Sequence, residues 1–324
     1  MQRRQLLVAI GTMPIAALAW NARASRYPAR PVRIVVGFAP GGTADVFARL
    51  LAEFATKQLR SAVIVENKAG AAAIVGAEHV ARSGADGYTL LLTFADAMVG
   101  NPALYRQLPY QPANDFVPVG LLAQGPLVVS IGKSVPASNL REFVAHARKA
   151  SISWGSWGAG SHGHLLCEAM NKAYQLNMQH VPYKGEAPTV QGLLGGEIQI
   201  AAGSIGVMAP HLKSGALKAL GTNGAQPSLT LPQVPTLAEQ GASGEAFTKL
   251  GWVGLVAPAN TPADIVAQWG ALVRDFLALE STRTKFLAYG FEPSFLDSTA
   301  LRKRMEDDTR VWARLIAEAG VRLD

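Results

Sequence analysis

The sequence lacks the features of disulfide-stapled, disordered or nucleic-acid-binding proteins. Its 324 residues include one cysteine, Cys167, so no internal disulfide can form. Charged residues make up only 16% of the chain and hydrophobic residues 49%, a composition typical of a compact globular protein. No lysine and arginine stripe with interleaved aromatics occurs, so nucleic acid is not an expected partner. Cys167 lies in an apolar helical pattern with Leu166 and Met170, which indicates a buried, unreactive thiol.

The sequence also lacks an apolar run long enough to span a membrane. The run from Leu6 to Trp20 is too short for that, but it follows Arg3 and Arg4 and precedes the cleavage-like Ala22-Arg23-Ala24. We expect residues 1–24 to be a signal peptide, which leaves the general and the twin-arginine export routes open. The full chain carries a net charge of +7. Three arginines and no acids leave with the signal, so the mature chain carries +4.

The segment from Val32 to Phe54 predicts a strand, a glycine loop and a helix start. Val32 to Gly37 is apolar and β-branched, as in a buried strand, and Pro40-Gly41-Gly42 ends it. Thr43 is the predicted N-cap of the helix, and Asp45 suits its positive end. Free N–H groups of the first helical turn and the open glycines form an anion cradle. We expect it to hold a carboxylate; the alternative is a turn that only reverses the chain.

Alternating short strands and helices predict an α/β fold. Strands are predicted at Ala62 to Glu66 and Tyr88 to Phe94, on either side of a small-residue helix from Ala71 to Ala81. Ligands bind at the carboxyl ends of parallel strands. The loops Phe38 to Gly42 and Thr93 to Asp96 should therefore share one edge of a sheet.

The strand, glycine loop and helix recur in the second half of the chain. Asn101 to Pro118 is rich in proline and predicts a connector between two lobes. Gly155 to His164 then joins a short strand to a helix. We expect the chain to cross between lobes near Val119 to Gln124 and again near Phe247 to Val253. Two cradles, one in each lobe, suit a clamshell that closes on an acidic ligand.

Other chemistries fit parts of the second loop. Gly158 to Gly163 matches the dinucleotide pattern G-x-G-x-x-G, with Glu186 farther along, but Pro182 interrupts the strand that should carry the acid. The same loop resembles a nucleophile elbow around Ser161, although no later histidine has an acid placed for a triad. His162 and His164 lack companions for a zinc site. A secreted hydrolase using Ser161 stays as the alternative, and we expect no metal and no cofactor.

Ordered motifs along the chain carry a resemblance to one family. They are Tyr27-Pro28-Ala29-Arg30-Pro31, Ala39-Pro40-Gly41-Gly42-Thr43-Ala44-Asp45, Asp86-Gly87-Tyr88-Thr89, Leu108-Pro109-Tyr110, His180-Val181-Pro182-Tyr183-Lys184-Gly185, Leu194-Gly195-Gly196 and Leu231-Pro232-Gln233-Val234-Pro235. Over about residues 27–322 the chain resembles the Bug family of periplasmic solute-binding proteins, the TctC-like receptors of tripartite tricarboxylate transporters.

The resemblance implies a two-lobed, type II periplasmic-binding-protein (Venus-flytrap) fold, each lobe a mostly parallel sheet flanked by helices. Residues 25–122 and 248–324 would form the first lobe and 123–247 the second. It implies a periplasmic, monomeric protein that binds a small carboxylate, such as an organic acid or amino acid, without catalysis. Membrane transporter subunits would be its partners. A receptor that feeds a signalling system stays open.

The resemblance also implies which residues bind the ligand. The first-lobe loop would contribute Phe38, Ala39, Pro40, Gly41, Gly42, Thr43 and Asp45. The second-lobe loop would contribute Ser156, Trp157, Gly158, Ala159, Gly160, Ser161 and His162. Apart from the resemblance, Thr93, Phe94 and Asp96 are expected at the site because their loop shares the sheet edge with the first glycine loop. Tyr183 and Ser204, at the ends of other predicted strands, complete the expected set.

Two departures from the family pattern bear on the ligand. Trp157 and Phe94 stand where smaller residues are usual, which favours a flat or aromatic carboxylate if they stack on it. Asp96 leaves an amino-bearing ligand open. The alternative for Trp157 is that it packs between its loop and the following helix.

Overall fold

The structure, a computed structural model, describes residues 27–322 and contains two β-sheets. The signal peptide predicted for residues 1–24 lies outside this range. The strands of the first sheet are, in spatial order, β11 (Glu292–Leu296), β4 (Phe116–Gly125), β10 (Gly251–Pro258), β3 (Thr89–Phe94), β1 (Val32–Val36) and β2 (Val63–Asn67). Those of the second are β7 (Gln179–Pro182), β6 (Ser153–Ser156), β8 (Ile200–Ser204), β5 (Leu127–Gly132) and β9 (Leu217–Thr222).

Both sheets are mixed. The predicted parallel units are present: β1 is parallel to β2 and β3, and β6 is parallel to β7 and β8. Strands β4, β5 and β10 pair antiparallel with their neighbours. These strands leave one sheet for the other or arrive from it. They therefore lack the helical crossover that joins parallel neighbours.

Helices cover the sheets, and each sheet with its helices is called a lobe. The first lobe has α1 (Thr43–Leu59), α2 (Ile74–Ala81), α3 (Asn101–Leu104), α4 (Pro112–Asp115), α9 (Ala263–Leu277), α10 (Glu280–Ala288) and α11 (Ser298–Ala319). The second has α5 (Leu140–Ala147), α6 (His162–Tyr174), α7 (Glu186–Gly195) and α8 (Ile205–Lys213). Within residues 27–322, no helix combines the length and apolar character required to cross a bilayer.

Two local predictions were wrong. The helix expected from Ala71 begins only at Ile74, because residues 71–73 adopt a left-handed turn with φ of 45°, 49° and 71°. That turn packs closely on the end of β1: a side-chain carbon placed on Gly37 would lie 2.4 Å from Cβ of Ala73. The segment Asn101 to Pro118 does not connect the lobes, since α3, α4 and the start of β4 all remain in the first lobe.

The chain passes between the sheets at two adjacent points. β4 stays paired with β10 as far as Gly125, which lies opposite Gly251, and β5 begins at Leu127. A side-chain carbon at Gly125 would lie 2.4 Å from the carbonyl oxygen of Gly290, so only glycine fits there. Both crossings are close to the stretches predicted from the sequence. The exact lobe limits, residues 25–122 with 248–324 and 123–247, stay a prediction.

A buried ion-pair network fixes α11 to the second crossing. Both Asp308 carboxylate oxygens are used: Oδ1 lies 2.6 Å from Nζ of Lys249, and Oδ2 accepts from Arg304 Nε at 2.8 Å and Trp252 Nε1 at 2.9 Å. Trp252 is fully buried and Asp308 is 3% exposed. Removing one member of such a network leaves uncompensated charge in the interior.

We expect Asp308→Asn to lower the free energy of unfolding by about 3 kcal/mol, because Lys249 and Arg304 would lose their buried counter-charge. Urea unfolding followed by circular dichroism measures the change. Asp307→Asn is the matched control, since Asp307 is on the same helix but pairs with the exposed Lys303 and Arg310. Equal destabilisation by the two variants would contradict a special role for Asp308.

Candidate functional site

The first glycine loop lies at the carboxyl end of β1 and leads into α1. Gly42 is the N-cap and Thr43 the first helical residue, so the predicted capping by Thr43 was wrong. Asp45 holds the loop in shape by accepting the Gly41 N–H at 3.0 Å, Arg49 at 2.9 Å and Asn67 Nδ2 at 3.0 Å. Burial acts to raise the pKa of Asp45, but these hydrogen bonds outweigh it and lower the pKa. Asp45 therefore shapes the cradle.

A carboxylate of the second lobe occupies this cradle. Glu186, the first residue of α7, accepts the Thr43 N–H at 3.0 Å through Oε2. Its other oxygen accepts the Ser204 N–H at 2.8 Å and the Ser204 hydroxyl. Glu186 is only 4% exposed. The N-terminus of α1 thus already binds a carboxylate, as the dipole and free N–H groups of a helix start favour.

The second glycine loop joins β6 to α6. Ser161 is the N-cap of α6 and accepts the His164 N–H at 3.3 Å. Its hydroxyl donates to Oγ of Ser156 at 2.9 Å, and Ser156 Oγ lies 2.7 Å from His180 Nε2. The Gly160 N–H donates to Nδ1 of His164 at 2.9 Å. These contacts fix the loop so that the first N–H of α6 faces the other lobe.

Asp96, from the first lobe, occupies that second helix start. It lies in a π-helical turn (Asp96–Gly100) directly after β3. Its carboxylate accepts Trp157 Nε1 at 2.8 Å and the His162 N–H at 3.2 Å. Burial raises the pKa of Asp96 to about 6, and the charge of Glu186 adds to the increase, although both hydrogen bonds oppose it. Each cradle therefore holds an acid from the opposite lobe.

Further contacts join the same loops across the cleft. The Ala39 N–H donates to the carbonyl of Lys184 at 2.9 Å, and the Tyr105 hydroxyl donates to the carbonyl of Ala159 at 3.4 Å. A side-chain carbon placed on Gly158 would lie 2.9 Å from Cα of Ala72. The lobes are closed on one another along the edge that the sequence predicted for the ligand.

Most of the predicted site residues meet at this edge. Some of them contact the opposite lobe or one of the two cradle acids, Glu186 and Asp96. They are Phe38, Ala39, Gly41, Gly42, Thr43, Phe94, Asp96, Trp157, Gly158, Ala159, His162 and Ser204. Residues that form or support the two loops are Pro40, Asp45, Ser156, Gly160 and Ser161. The Tyr183 N–H donates to the carbonyl of Ser156 at 2.9 Å, but its hydroxyl is directed away from the loops and donates to Glu197, beyond the far end of α7, at 3.1 Å.

Two threonines leave hydroxyls unpaired beside these loops. Thr43 and Thr93 are both fully buried, and neither Oγ1 has a hydrogen-bond partner within the described part of the chain. Buried polar atoms are rarely left unsatisfied in native proteins. Two of them among the predicted contacts suit a site that accepts polar groups of a ligand.

Trp157 packs between its loop and α6, in agreement with the alternative given for it. The side chain is 3% exposed and lies against Gly163, where an added side-chain carbon would be 2.9 Å from the ring. Its ring centroid is 6.2 Å from that of Phe94, which in turn lies 5.4 Å from Phe38. The Trp157 side chain is therefore hydrogen-bonded to Asp96 and packed on α6. This argues against its stacking on an aromatic ligand.

The enzyme alternatives receive little support from the geometry. Ser161 is fully buried, and its hydroxyl contacts the Ser156 hydroxyl and the backbone N–H of His164 rather than a histidine ring. His180 contacts Ser156 instead, and burial lowers its pKa to about 3. Glu186 lies at a helix start bonded to Ser204 and Thr43, not at the end of a strand where a nucleotide ribose would meet it. Cys167 is fully buried, as expected, and burial raises its pKa.

Glu186 is the residue whose role at the cradle sequence reasoning missed. The sequence marked it only as the acid of a dinucleotide pattern. The sequence did contain one signal of a structural role for this acid. Glu186 follows Gly185 in the first turn of a helix, where backbone N–H donors are close. Nothing local indicates that the donor would belong to a helix 143 positions earlier in the chain.

Comparison with known families decides the assignment. Residues 47–321 match the family model described as the tripartite tricarboxylate transporter family receptor. The chain belongs to this family. It is 32% identical over 327 residues to Protein BugT of Bordetella pertussis, with the whole of both chains covered. Members of this family are periplasmic solute-binding proteins rather than enzymes.

Solved structures of the family confirm the two-lobed periplasmic-binding-protein fold. A Rhodopseudomonas palustris protein with adipate, Rpa4515, matches with a TM-score of 0.87 and 30% identity over 91% of this chain and 99% of that one. MatC from R. palustris with bound malate matches with a TM-score of 0.84 and 29% identity over 90% and 100% of the two chains. Both of those proteins hold carboxylates.

The raised pKa of Asp96 predicts a pH-dependent stability. This pKa is about 6 in the folded protein, whereas an aspartate in water has an ordinary pKa of 3.8. The folded protein therefore favours protonated Asp96. The stability that this proton provides is complete below about pH 4 and is lost as the pH rises through about 6. Relative to Asp96→Asn, the wild type should lose about 3 kcal/mol of unfolding free energy between those limits.

Urea unfolding of both proteins at several values across this pH range measures the difference. Subtracting the variant removes the titration of all other groups. A difference that stays constant with pH would show that Asp96 keeps an ordinary pKa in the folded protein.

Proposed function

We propose that this family member is a periplasmic receptor that captures a small carboxylate-bearing solute between its lobes and delivers it to the membrane subunits of a tripartite tricarboxylate transporter. Its role is binding and lobe closure, with no catalysis. The binding-competent unit would be a monomer, exported by a signal peptide over residues 1–24. A receptor that reports to a signalling system would use the same closure.

One observation carries this proposal: the N-terminus of α1 binds a carboxylate to which the Thr43 N–H donates, and that carboxylate comes from the opposite lobe. A ligand carboxylate in the same place would likewise connect the lobes. Fixed donors at a helix start favour a carboxylate, and an open glycine loop admits it. Relatives of this fold with adipate and malate support the same ligand class.

The ligand-binding residues that we propose are those of the two loops and the strand ends beside them. The first lobe, residues 25–122 and 248–324, would supply the loop from Phe38 to Asp45 with Thr93, Phe94 and Asp96. The second lobe, residues 123–247, would supply the loop from Ser156 to His162 and Ser204. Tyr183 is left out, because its hydroxyl is engaged with Glu197 away from these loops.

We expect Gly42→Leu to weaken binding of adipate or malate at least about tenfold, because the side chain would fill the cradle in front of α1. A carbon placed on Gly42 lies 3.7 Å from Glu186, an ordinary contact distance, so the first carbon of the new side chain fits beside it. Isothermal titration calorimetry measures the affinities.

Ligand at about 100 times its dissociation constant should stabilise the wild type by about 2.7 kcal/mol, which a thermal-shift assay detects.

Gly195→Leu is the matched control, since Gly195 at the end of α7 has no heavy atom within 4 Å of the added carbon. It should bind carboxylates as the wild type does. If Gly42→Leu also kept wild-type affinity for every carboxylate that the wild type binds, the cradle would not be the ligand site.

A further inference from the structure

Glu186 occupies the place that the proposed function assigns to the ligand. Its Oε2 lies 3.0 Å from the Thr43 nitrogen and 3.7 Å from the position of a side-chain carbon on Gly42. The donors come from both lobes, since Thr43 belongs to the first and Ser204 to the second. In the closed protein Glu186 therefore makes the same kind of bridge between the lobes that a bound carboxylate would make.

The hydrogen bonds of Glu186 are all to uncharged groups. Within residues 27–322 the structure gives it no ion-pair partner, and its oxygens are satisfied by two backbone N–H groups and one hydroxyl. A buried carboxylate that loses its donors becomes expensive. A ligand that takes the Thr43 N–H must therefore displace Glu186 or leave it incompletely bonded.

A second buried acid, Asp96, makes binding depend on the charge of the ligand. Asp96 is 2% exposed and is also bonded only to uncharged donors, Trp157 Nε1 and the His162 N–H. The charge of Glu186 reaches it, because that charge helps to raise the pKa of Asp96. Each carboxylate group that a ligand adds to this cleft meets the negative charge already there. A dicarboxylate meets more repulsion than a monocarboxylate of the same length.

We infer that Glu186 is a specificity-determining residue that competes with the ligand for the N-terminus of α1 and disfavours dianionic ligands most. This inference rests on the proposed function, because it concerns the same site. It predicts that a neutral residue at position 186 improves carboxylate binding, and that the improvement is larger for a dicarboxylate.

The test compares adipate with hexanoate, its monocarboxylate of equal chain length, by isothermal titration calorimetry. Glu186→Gln keeps the size of the side chain, and Glu186→Ala removes it. We expect the dissociation constant of adipate to fall by about tenfold or more in both variants, the scale of one charge-assisted hydrogen bond. That of hexanoate should fall by a smaller factor.

Glu197→Gln provides the matched control. Glu197 follows the other end of α7, accepts from the Tyr183 hydroxyl and carries the same charge, so this variant changes the net charge equally without touching the cradle. It should leave both affinities at the wild-type level. An equal gain in Glu197→Gln would assign the effect to overall charge and overturn the inference.

Two other outcomes separate this inference from the proposed function. If carboxylates bind the wild type, but both Glu186 variants bind them equally or more weakly, Glu186 does not compete and the inference fails while the proposed function stands. If neither the wild type nor any folded variant binds a carboxylate from a broad panel, the proposed function itself fails.

Discussion

A buried carboxylate must be supplied with hydrogen-bond donors, and in this protein each lobe supplies them to an acid of the other. Glu186 of the second lobe takes the first N–H of α1, and Asp96 of the first lobe takes the first N–H of α6. In both interactions a carboxylate accepts a backbone N–H at a helix start. The acid comes from the second lobe in the first case and from the first lobe in the other. Because an uncompensated carboxylate is costly in the interior, each acid stabilises the closed arrangement only while the facing helix start stays in place. The closed arrangement of the lobes and the bonding of these acids therefore depend on each other.

This reciprocity depends on the two chain crossings, which hold the two helix starts in the same relative position. The crossings lie side by side, with Gly125 opposite Gly251. Asp308 bonds Lys249 and Trp252, on either side of Gly251, to α11, so the second crossing is anchored to the first lobe. Gly206 also donates to the carbonyl of Tyr289 at 3.3 Å, which places a further contact between the lobes near β11. Domain closure in two-lobed proteins is commonly a rigid-body movement about a few residues at element ends.

The sequence was sufficient for the parts of this arrangement that depend on local pattern. Apolar β-branched runs and glycine loops predicted β1, β3 and the starts of α1 and α6, and the ordered motifs predicted the two-lobed fold. Thr43 was misassigned as a cap because its hydroxyl is as good a candidate as a glycine backbone until the loop geometry is known. The left-handed turn at residues 71–73 was missed because alanine strongly favours helix, and tertiary contacts with Gly37, Gly158 and Asn101 override that preference. Glu186 was missed as a cradle residue because its partner Thr43 is distant in the chain, and no periodicity encodes such a pairing.

The occupied cradles also constrain how ligand binding can drive closure. A ligand shifts the equilibrium between open and closed forms only by its difference in affinity for them. If the donors of α1 were vacant in the closed form, the full set of ligand hydrogen bonds would contribute to that difference. With Glu186 already bonded to Thr43 and Ser204, only the excess of the ligand's bonds over those of Glu186 contributes. Under the proposed function, affinity would then come from groups that Glu186 does not satisfy, and the unpaired hydroxyls of Thr43 and Thr93 are two such groups. Under the proposed function, selectivity would therefore be set by what a solute offers beyond its first carboxylate.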